Sequence, residues 1–231
     1  MTSRRLPFAA FLTSALLLVG ALGFTSGWPA GSPTAPPPVK ETFLVRGWLT
    51  ATGFSAACRT SGDRTRAVAS WVEQRTGGPF VTSLVTRAFA ESPGCRVTAL
   101  RRGPNLIVTA GKNFLVDAWQ NSVELEIMKY HGVGIGTAAA VVGDTALQTE
   151  STTILNPDST RATGSLAEGA SANIFRSVGT VSFDGSGAIT EWGLFSQAAT
   201  GGGTLWSRVV FAAINVASGD SIQFTYEVTI G

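Results

Sequence analysis

The end of the chain shows the clearest alternation of hydrophobic and polar side chains. Ile222, Phe224, Tyr226, Val228 and Ile230 occupy alternate positions, and polar residues occupy the positions between them. Such a period of two, kept over the whole segment, is typical of a strand with one buried face and one solvated face. The pattern therefore predicts a half-buried strand in an antiparallel sheet.

Shorter apolar segments precede this strand, and glycine, asparagine and aspartate separate them. In residues 112–120, Phe114, Leu115 and Trp119 share one helical face, which predicts a short helix. Several short strands with one short helix favour a mainly β fold, an antiparallel β-sandwich or jelly-roll-like domain, over residues 104–231. The further strands are predicted at residues 105–109, 123–130, 133–135, 172–183, 188–195 and 204–211.

The first part of the chain has a different organisation. Residues 1–24 begin with a basic stretch and continue with an apolar one at 6–24, which predicts a signal peptide or a hydrophobic anchor. A translation start further downstream is a third interpretation. Residues 25–39 contain closely spaced prolines and predict a semi-extended linker, because proline fixes φ and removes a hydrogen-bond donor.

Residues 40–103 are interpreted as a small N-terminal subdomain. A strand is predicted within 41–50 and a short helix within 64–75, whereas 80–89 is ambiguous. Because this subdomain is taken as separate, a chain that begins near Val97 is expected to be soluble.

Charge divides the chain in the same way. Residues 1–102 carry twelve basic and four acidic side chains, a net charge of +8, whereas residues 103–231 carry five basic and eleven acidic ones, a net charge of −6. The arginines of the first part are spread out and are not interleaved with aromatic residues, so nucleic acid is not expected as a partner.

Cys58 and Cys95 are the two cysteines of the chain. They are expected to form a disulfide if the protein is exported, and to remain two buried thiols in a reducing compartment. Two cysteines with one distant histidine do not make a metal site, so no metal is expected here.

The candidate reactive residues all have a simpler structural explanation. His131 is the only histidine, and a lone histidine is usually a hydrogen-bonded structural residue. The glycines at 132, 134 and 136 lack the last glycine and the helix of a dinucleotide-binding turn, so they indicate close strand packing or a bulge. Glu191 lies in an apolar strand, where a buried carboxylate needs a partner such as Arg176 or Arg208.

Four loop acids and three tryptophans remain as binding candidates. The acids do not have the spacing of a calcium loop and are expected to form a solvated surface; they are Asp144, Glu150, Asp158 and Glu168. Trp119, Trp192 and Trp206 are candidate interface aromatics, and a sugar-binding platform is the alternative. No catalytic or cofactor-binding residue is assigned, and no cofactor is expected.

Large apolar residues are also more numerous than the core of a two-layer domain is expected to hold. A surplus would place some rings on an outer face, which predicts a homo-oligomer, for instance a trimer. The twelve residues concerned are Phe114, Trp119, Met128, Tyr130, Phe175, Phe183, Trp192, Phe195, Trp206, Phe211, Phe224 and Tyr226.

Four segments together resemble a family of small structural proteins of tailed bacteriophages and prophages. They are TAGKNFLVDA at 109–118, KYHGVGIGT at 129–137, AITEWGLF at 188–195 and VVFAAINVASGD at 209–220. The resemblance covers residues ~97–231. It implies a tail, fibre or capsid-decoration component of the virion that acts by protein–protein assembly and is not an enzyme.

The resemblance implies the chain itself and other virion proteins as partners. The alternative is an exported bacterial β-sandwich, secreted or in the cell envelope, that binds a surface glycan or a protein. Under either interpretation, a membrane contact is expected only through residues 6–24, if they are not cleaved.

Overall fold

The computed structural model describes residues 44–76 and 94–231, and in these two ranges the chain is mainly β. Two helices, α1 (Ser61–Thr76) and α2 (Thr109–Trp119), and one 3-10 turn, Leu125–Ile127, accompany the strands. The nine strands are β1 (Val45–Phe54), β2 (Val97–Ile107), β3 (Tyr130–Gly134), β4 (Ala162–Thr163), β5 (Ala167–Glu168), β6 (Ile174–Ser182), β7 (Gly187–Phe195), β8 (Leu205–Val216) and β9 (Ser221–Ile230).

All nine strands pair antiparallel in one curled sheet, in the order β4-β3-β7-β8-β2-β1-β9-β6-β5. The sheet has two halves that face each other as the layers of a sandwich. β2 joins them, since it pairs with β1 along most of its length and with β8 only at Leu106 and Ile107. The predicted antiparallel β-sandwich is therefore confirmed.

The two ends of the strand order belong to one short segment of chain. β4 pairs with β3 in one half, and β5, which follows at once, pairs with β6 in the other half. Between them, the backbone NH of Ser165 donates to the carbonyl of Val178. Because this segment crosses from one half to the other, neither end of the sheet presents a long unpaired edge.

The core lies between the two halves. The ring centroid of Trp192 lies 6.0 Å from that of Phe224 and 5.2 Å from that of Tyr226, so β7 packs directly on β9. The alternation in β9 is confirmed, because Ile222, Phe224, Tyr226 and Val228 are buried.

The expected domain boundary at 103/104 is wrong. That boundary falls inside β2, and β1 lies in the middle of the sheet between β2 and β9, paired with β9 from Val45↔Ile230 to Phe54↔Ser221. Residues of the supposed subdomain therefore complete the same sheet. A chain beginning near Val97 would lack this central strand, so its expected solubility does not follow.

Other predictions have mixed outcomes. The helices predicted within 64–75 and 112–120 are α1 and α2. The strand predicted at 123–130 is wrong, because the 3-10 turn occupies its middle and β3 begins only at Tyr130. The predictions for residues 1–24, 25–39 and 80–89 lie outside the described residues.

Helix α1 begins with a reciprocal cap and is connected covalently to β2. The backbone NH of Thr60 donates to the carboxylate of Asp63 at 2.9 Å, and the NH of Asp63 donates to the hydroxyl of Thr60 at 3.1 Å. A disulfide joins Cys58, just before α1, to Cys95, just before β2, with 4.7 Å between their Cα atoms. Neither helix in the described part of the chain is long and apolar enough to cross a membrane.

Candidate functional site

His131 is a structural residue of the core. It lies on β3 with no exposed surface, its Nδ1 accepts from the indole NH of Trp192 at 3.2 Å, and its Nε2 lies 2.9 Å from the hydroxyl of Ser177. Because the indole can only donate, the neutral ring carries its proton on Nε2 and donates it to Ser177. Burial lowers the pKa of His131 from 6.5 to about 3. The imidazole therefore cannot reach a substrate.

Gly179 and Gly164 make room for this imidazole. A Cβ at either position would overlap the ring of His131. A glycine inside strand β6, which the sequence pattern leaves unexplained, thus follows from the position of the histidine on the facing strand.

Glu191 is fully buried, and its two carboxylate oxygens accept from several donors. Backbone NH groups of the loop 135–149 donate at 2.7–3.0 Å, and Arg208 donates from Nε at 2.9 Å. Arg208 also binds Asp144 at 2.9 Å. Arg208 is therefore the partner of Glu191, whereas Arg176 pairs with Glu227 at 2.8 Å.

These contacts hold the loop 135–149 against β7. A carboxylate that accepts charge-assisted hydrogen bonds on both oxygens has no free lone pair directed at solvent or at a ligand. Glu191 is thus suited to fix the loop and unsuited to act as a general acid or base.

The glycines at 132, 134 and 136 lie where side chains approach the backbone. A Cβ at Gly134 or Gly136 would overlap Glu191, and one at Gly132 would lie 2.8 Å from the ring of Phe195. Their interpretation as close packing is confirmed.

The four loop acids do not meet at a common point. Asp144 pairs with Arg208, and Glu150 forms two hydrogen bonds of 2.6 and 2.9 Å with Arg161. The guanidinium of Arg161 also lies 3.5 Å from the ring centroid of Phe195. Asp158 and Glu168 are exposed elsewhere. Within residues 44–76 and 94–231, no group of three or more acids, histidines and cysteines could hold a metal ion.

The three candidate tryptophans are separated, and this corrects the predicted set of interface aromatics. Trp192 is fully buried, and Trp206 is 6% exposed, with its indole NH donating to the hydroxyl of Tyr226 at 2.8 Å. Trp119, at the end of α2, is 67% exposed. Trp192 and Trp206 therefore belong to the core, and the three rings form no common platform for a sugar.

An apolar cleft opens at one end of the sandwich, where β1 begins and β9 ends. It consists of two adjoining cavities of about 250 and 400 Å³ that share Val45, Leu115 and Trp206 in their walls. We call these two cavities together the end cleft. The first cavity is lined by apolar side chains except for Glu126, and the second except for Lys112.

The end cleft is assembled from elements that are far apart in the sequence. α2 contributes Leu115 and Val116, the 3-10 turn contributes Leu125, and the β4–β5 connection contributes Leu166. The large apolar residues of the cleft that remain 40–67% exposed are Leu44, Val116, Trp119, Leu125, Leu166 and Ile230. Apart from Lys112 and Glu126, the walls of the end cleft are apolar, so the cleft is suited to contact with an apolar surface.

Comparisons of the chain with family models, curated proteins and solved structures find no match. The likeness to phage structural proteins therefore remains an expectation from the sequence. The end cleft was not anticipated from the sequence. The one signal in the sequence was Val116, which lies off the helical face that Phe114, Leu115 and Trp119 share.

Proposed function

We propose that this protein is a structural component of a phage virion, of the tail, fibre or capsid-decoration type, and that it acts by protein–protein assembly. The observation that carries the proposal is the end cleft, which offers apolar contact surface at one end of the sandwich. Its expected partners are further copies of the chain and other virion proteins. The four sequence segments that resemble phage structural proteins support the same role.

The arrangement of the buried polar groups favours a non-enzymatic role. His131, Glu191 and Arg208, the residues best suited to chemistry by type, each have partners inside the fold. A catalytic group needs hydrogen-bond reach to a substrate proton, which these side chains do not have. The proposal therefore includes no substrate and no cofactor.

The test is the location of the chain in a culture that produces particles. We expect peptides from residues 97–231 to follow gradient-purified particles through the density step, in constant ratio to a major coat protein. Quantitative mass spectrometry of particles, medium and cell envelope from one culture measures this. A chain present in the medium or envelope and absent from particles would contradict the virion role.

An exported binding module is the second candidate, and the disulfide favours it. The bond between Cys58 and Cys95 fits an oxidising compartment better than the cytoplasm in which phage particles assemble. In this case the end cleft would bind a protein partner outside the cell, and the mature chain would begin after the apolar segment at 6–24. N-terminal sequencing of the envelope or secreted material tests this alternative.

A further inference from the structure

We propose that the end cleft is the contact surface of a two-fold symmetric dimer, in which the cleft of one copy packs against the cleft of a second copy. This inference rests on the assembly role proposed above and names the partner of the same site.

Apolar exposure is the first reason. Leu44, Val116, Leu125, Leu166 and Ile230 line the cleft and are each 40–49% exposed. A contiguous patch of this kind on a β-sandwich usually marks a protein contact, because covering it removes apolar surface from water.

The shortness of the outer strands is the second reason for placing the contact at this end. β4 and β5, the outer strands of the order, have two residues each and are joined by a continuous crossing segment. Such short outer strands offer little backbone for a partner strand to extend the sheet. Association through the end of the sandwich is therefore better supported than association through an edge.

The charges at the cleft select a second copy as the occupant. Lys112 lines only one of the two cavities and Glu126 only the other, and both side chains are exposed. Within the described residues, neither side chain forms an ion pair or hydrogen bond. A patch with a cation at one end and an anion at the other is self-complementary under a two-fold rotation.

In such a dimer Lys112 of each copy faces Glu126 of the other, so the ion pair forms twice around the shared apolar centre of Val45 and Leu115. An apolar small molecule would bring no charges to pair with Lys112 and Glu126. Charges at the rim of an interface contribute mainly to specificity and register, which is the role assigned to them here.

Charge reversal on the full chain tests the proposal. Each single charge reversal, Lys112→Glu or Glu126→Lys, places two side chains of the same charge opposite each other at both ends of the interface. Each is therefore expected to raise the dimer dissociation constant at least about tenfold. The double variant, with both reversals, restores the two ion pairs with exchanged signs and is expected to return to within about threefold of the original value. Sedimentation equilibrium measures the dissociation constants, and near-ultraviolet circular dichroism verifies the fold of each variant.

Replacement of exposed apolar residues by serine provides an independent test of the dimer contact. Leu166→Ser is expected to weaken the dimer, whereas Ile135→Ser, at a residue of similar exposure that lines neither cavity, is expected to leave it unchanged. Asp184→Lys, an exposed charge reversal outside the cleft, is the matched control for the charge variants.

Several results would overturn the inference. A monomer at about 100 μM, near the weak end of specific association, would remove the dimer. A trimer in solution would contradict the two-fold symmetry of the proposed contact. If the double variant dimerises as weakly as the single variants, Lys112 and Glu126 do not pair across the interface. If native mass spectrometry shows a monomer with an apolar small molecule bound, the cleft is a ligand site.

The outcomes separate this inference from the virion role. Rescue by the double variant in a protein absent from particles would retain the dimer and reject the virion role. A particle-bound protein whose double variant is not rescued would retain the virion role and reject the two-fold contact.

Discussion

At the scale of single residues, Glu191 and Arg161 are buried charged side chains whose polar atoms have hydrogen-bond partners inside the fold. Glu191 accepts from Arg208 and from the loop 135–149, and Arg161 binds Glu150 and two backbone carbonyls at 2.7 and 2.9 Å. A buried charge costs free energy unless it is paired and hydrogen-bonded. These contacts meet that condition and hold the long connection between β3 and β4 on the sheet.

His131 leads to a prediction about pH. Its pKa is about 3 in the fold against 6.5 for the free side chain, because burial disfavours the imidazolium. Between these values the unfolded chain binds the proton and the fold does not, so the stabilisation is present above pH 6.5 and is lost as pH falls towards 3. Relative to His131→Gln, the free energy of unfolding should fall by up to about 1.4 kcal/mol per pH unit in this window.

Urea unfolding of both proteins across the window measures the difference. Nuclear magnetic resonance gives a second test, because the chain has a single histidine. The imidazole signals should not titrate in the range of about pH 5 to 8, where an ordinary histidine does. A titration near the ordinary value would show that the ring is accessible to water.

At the scale of elements, β8 contains a bulge at the point where the two halves of the sheet separate. Phe211–Ala213 bulge out opposite the single residue Thr190, and β2 no longer pairs with β8 there. The guanidinium of Arg101 on β2 donates to the carbonyls of Ala212 and Ala213, each at 2.9 Å. A bulge with occupied carbonyls is a poor template for another strand, so this stretch of β8 is protected against edge pairing.

The disulfide is the covalent connection at this scale. It closes a loop with a sequence separation of 37, which contains α1. Replacing Cys58 and Cys95 together by alanine should lower the free energy of unfolding by on the order of 3–4 kcal/mol, because the unfolded chain gains the freedom of the open loop.

Urea denaturation with and without a reductant measures this loss. The original protein should lose a similar amount on reduction, and the double alanine variant should not respond to the reductant. Equal stability of the oxidised and reduced protein would show that the bond contributes little.

At the scale of the whole molecule, the fold accommodates most of the large apolar residues. Of the twelve considered a surplus, eight are buried, Tyr130, Phe175 and Phe211 are half-buried, and Trp119 is exposed. The count of rings therefore does not by itself support a homo-oligomer. Self-association is supported instead by the end cleft. The trimer expected from the surplus stays a prediction, and the two-fold dimer proposed above is an alternative to it.

The single sheet predicts one cooperative unfolding transition. β1 and β2 pair with each other and connect to β9 and β8 on either side, so residues of the supposed subdomain cannot unfold without opening the sheet. Far-ultraviolet circular dichroism and tryptophan fluorescence should give coincident urea transitions. Two separate transitions would support independent units at 40–103 and 104–231.

Local pattern was sufficient for the features that depend on neighbouring residues. The alternation of β9 predicted its buried face, the glycines at 132 and 134 indicated close packing, and an apolar strand around Glu191 required a cationic partner, which is Arg208. These features follow from side-chain periodicity and from the cost of burying a charge, both of which can be read along the chain.

Features made by distant segments needed the three-dimensional fold. Three features depend on which strands become neighbours. They are the place of β1 between β2 and β9, the burial of Trp192 and Trp206 but not of Trp119, and the end cleft. A strand's periodicity tells which residues share a face, but it carries no information about which distant strand pairs with it or packs on that face. The cleft in particular combines α2, the 3-10 turn and the ends of several strands, and its side chains meet only after the sheet has curled.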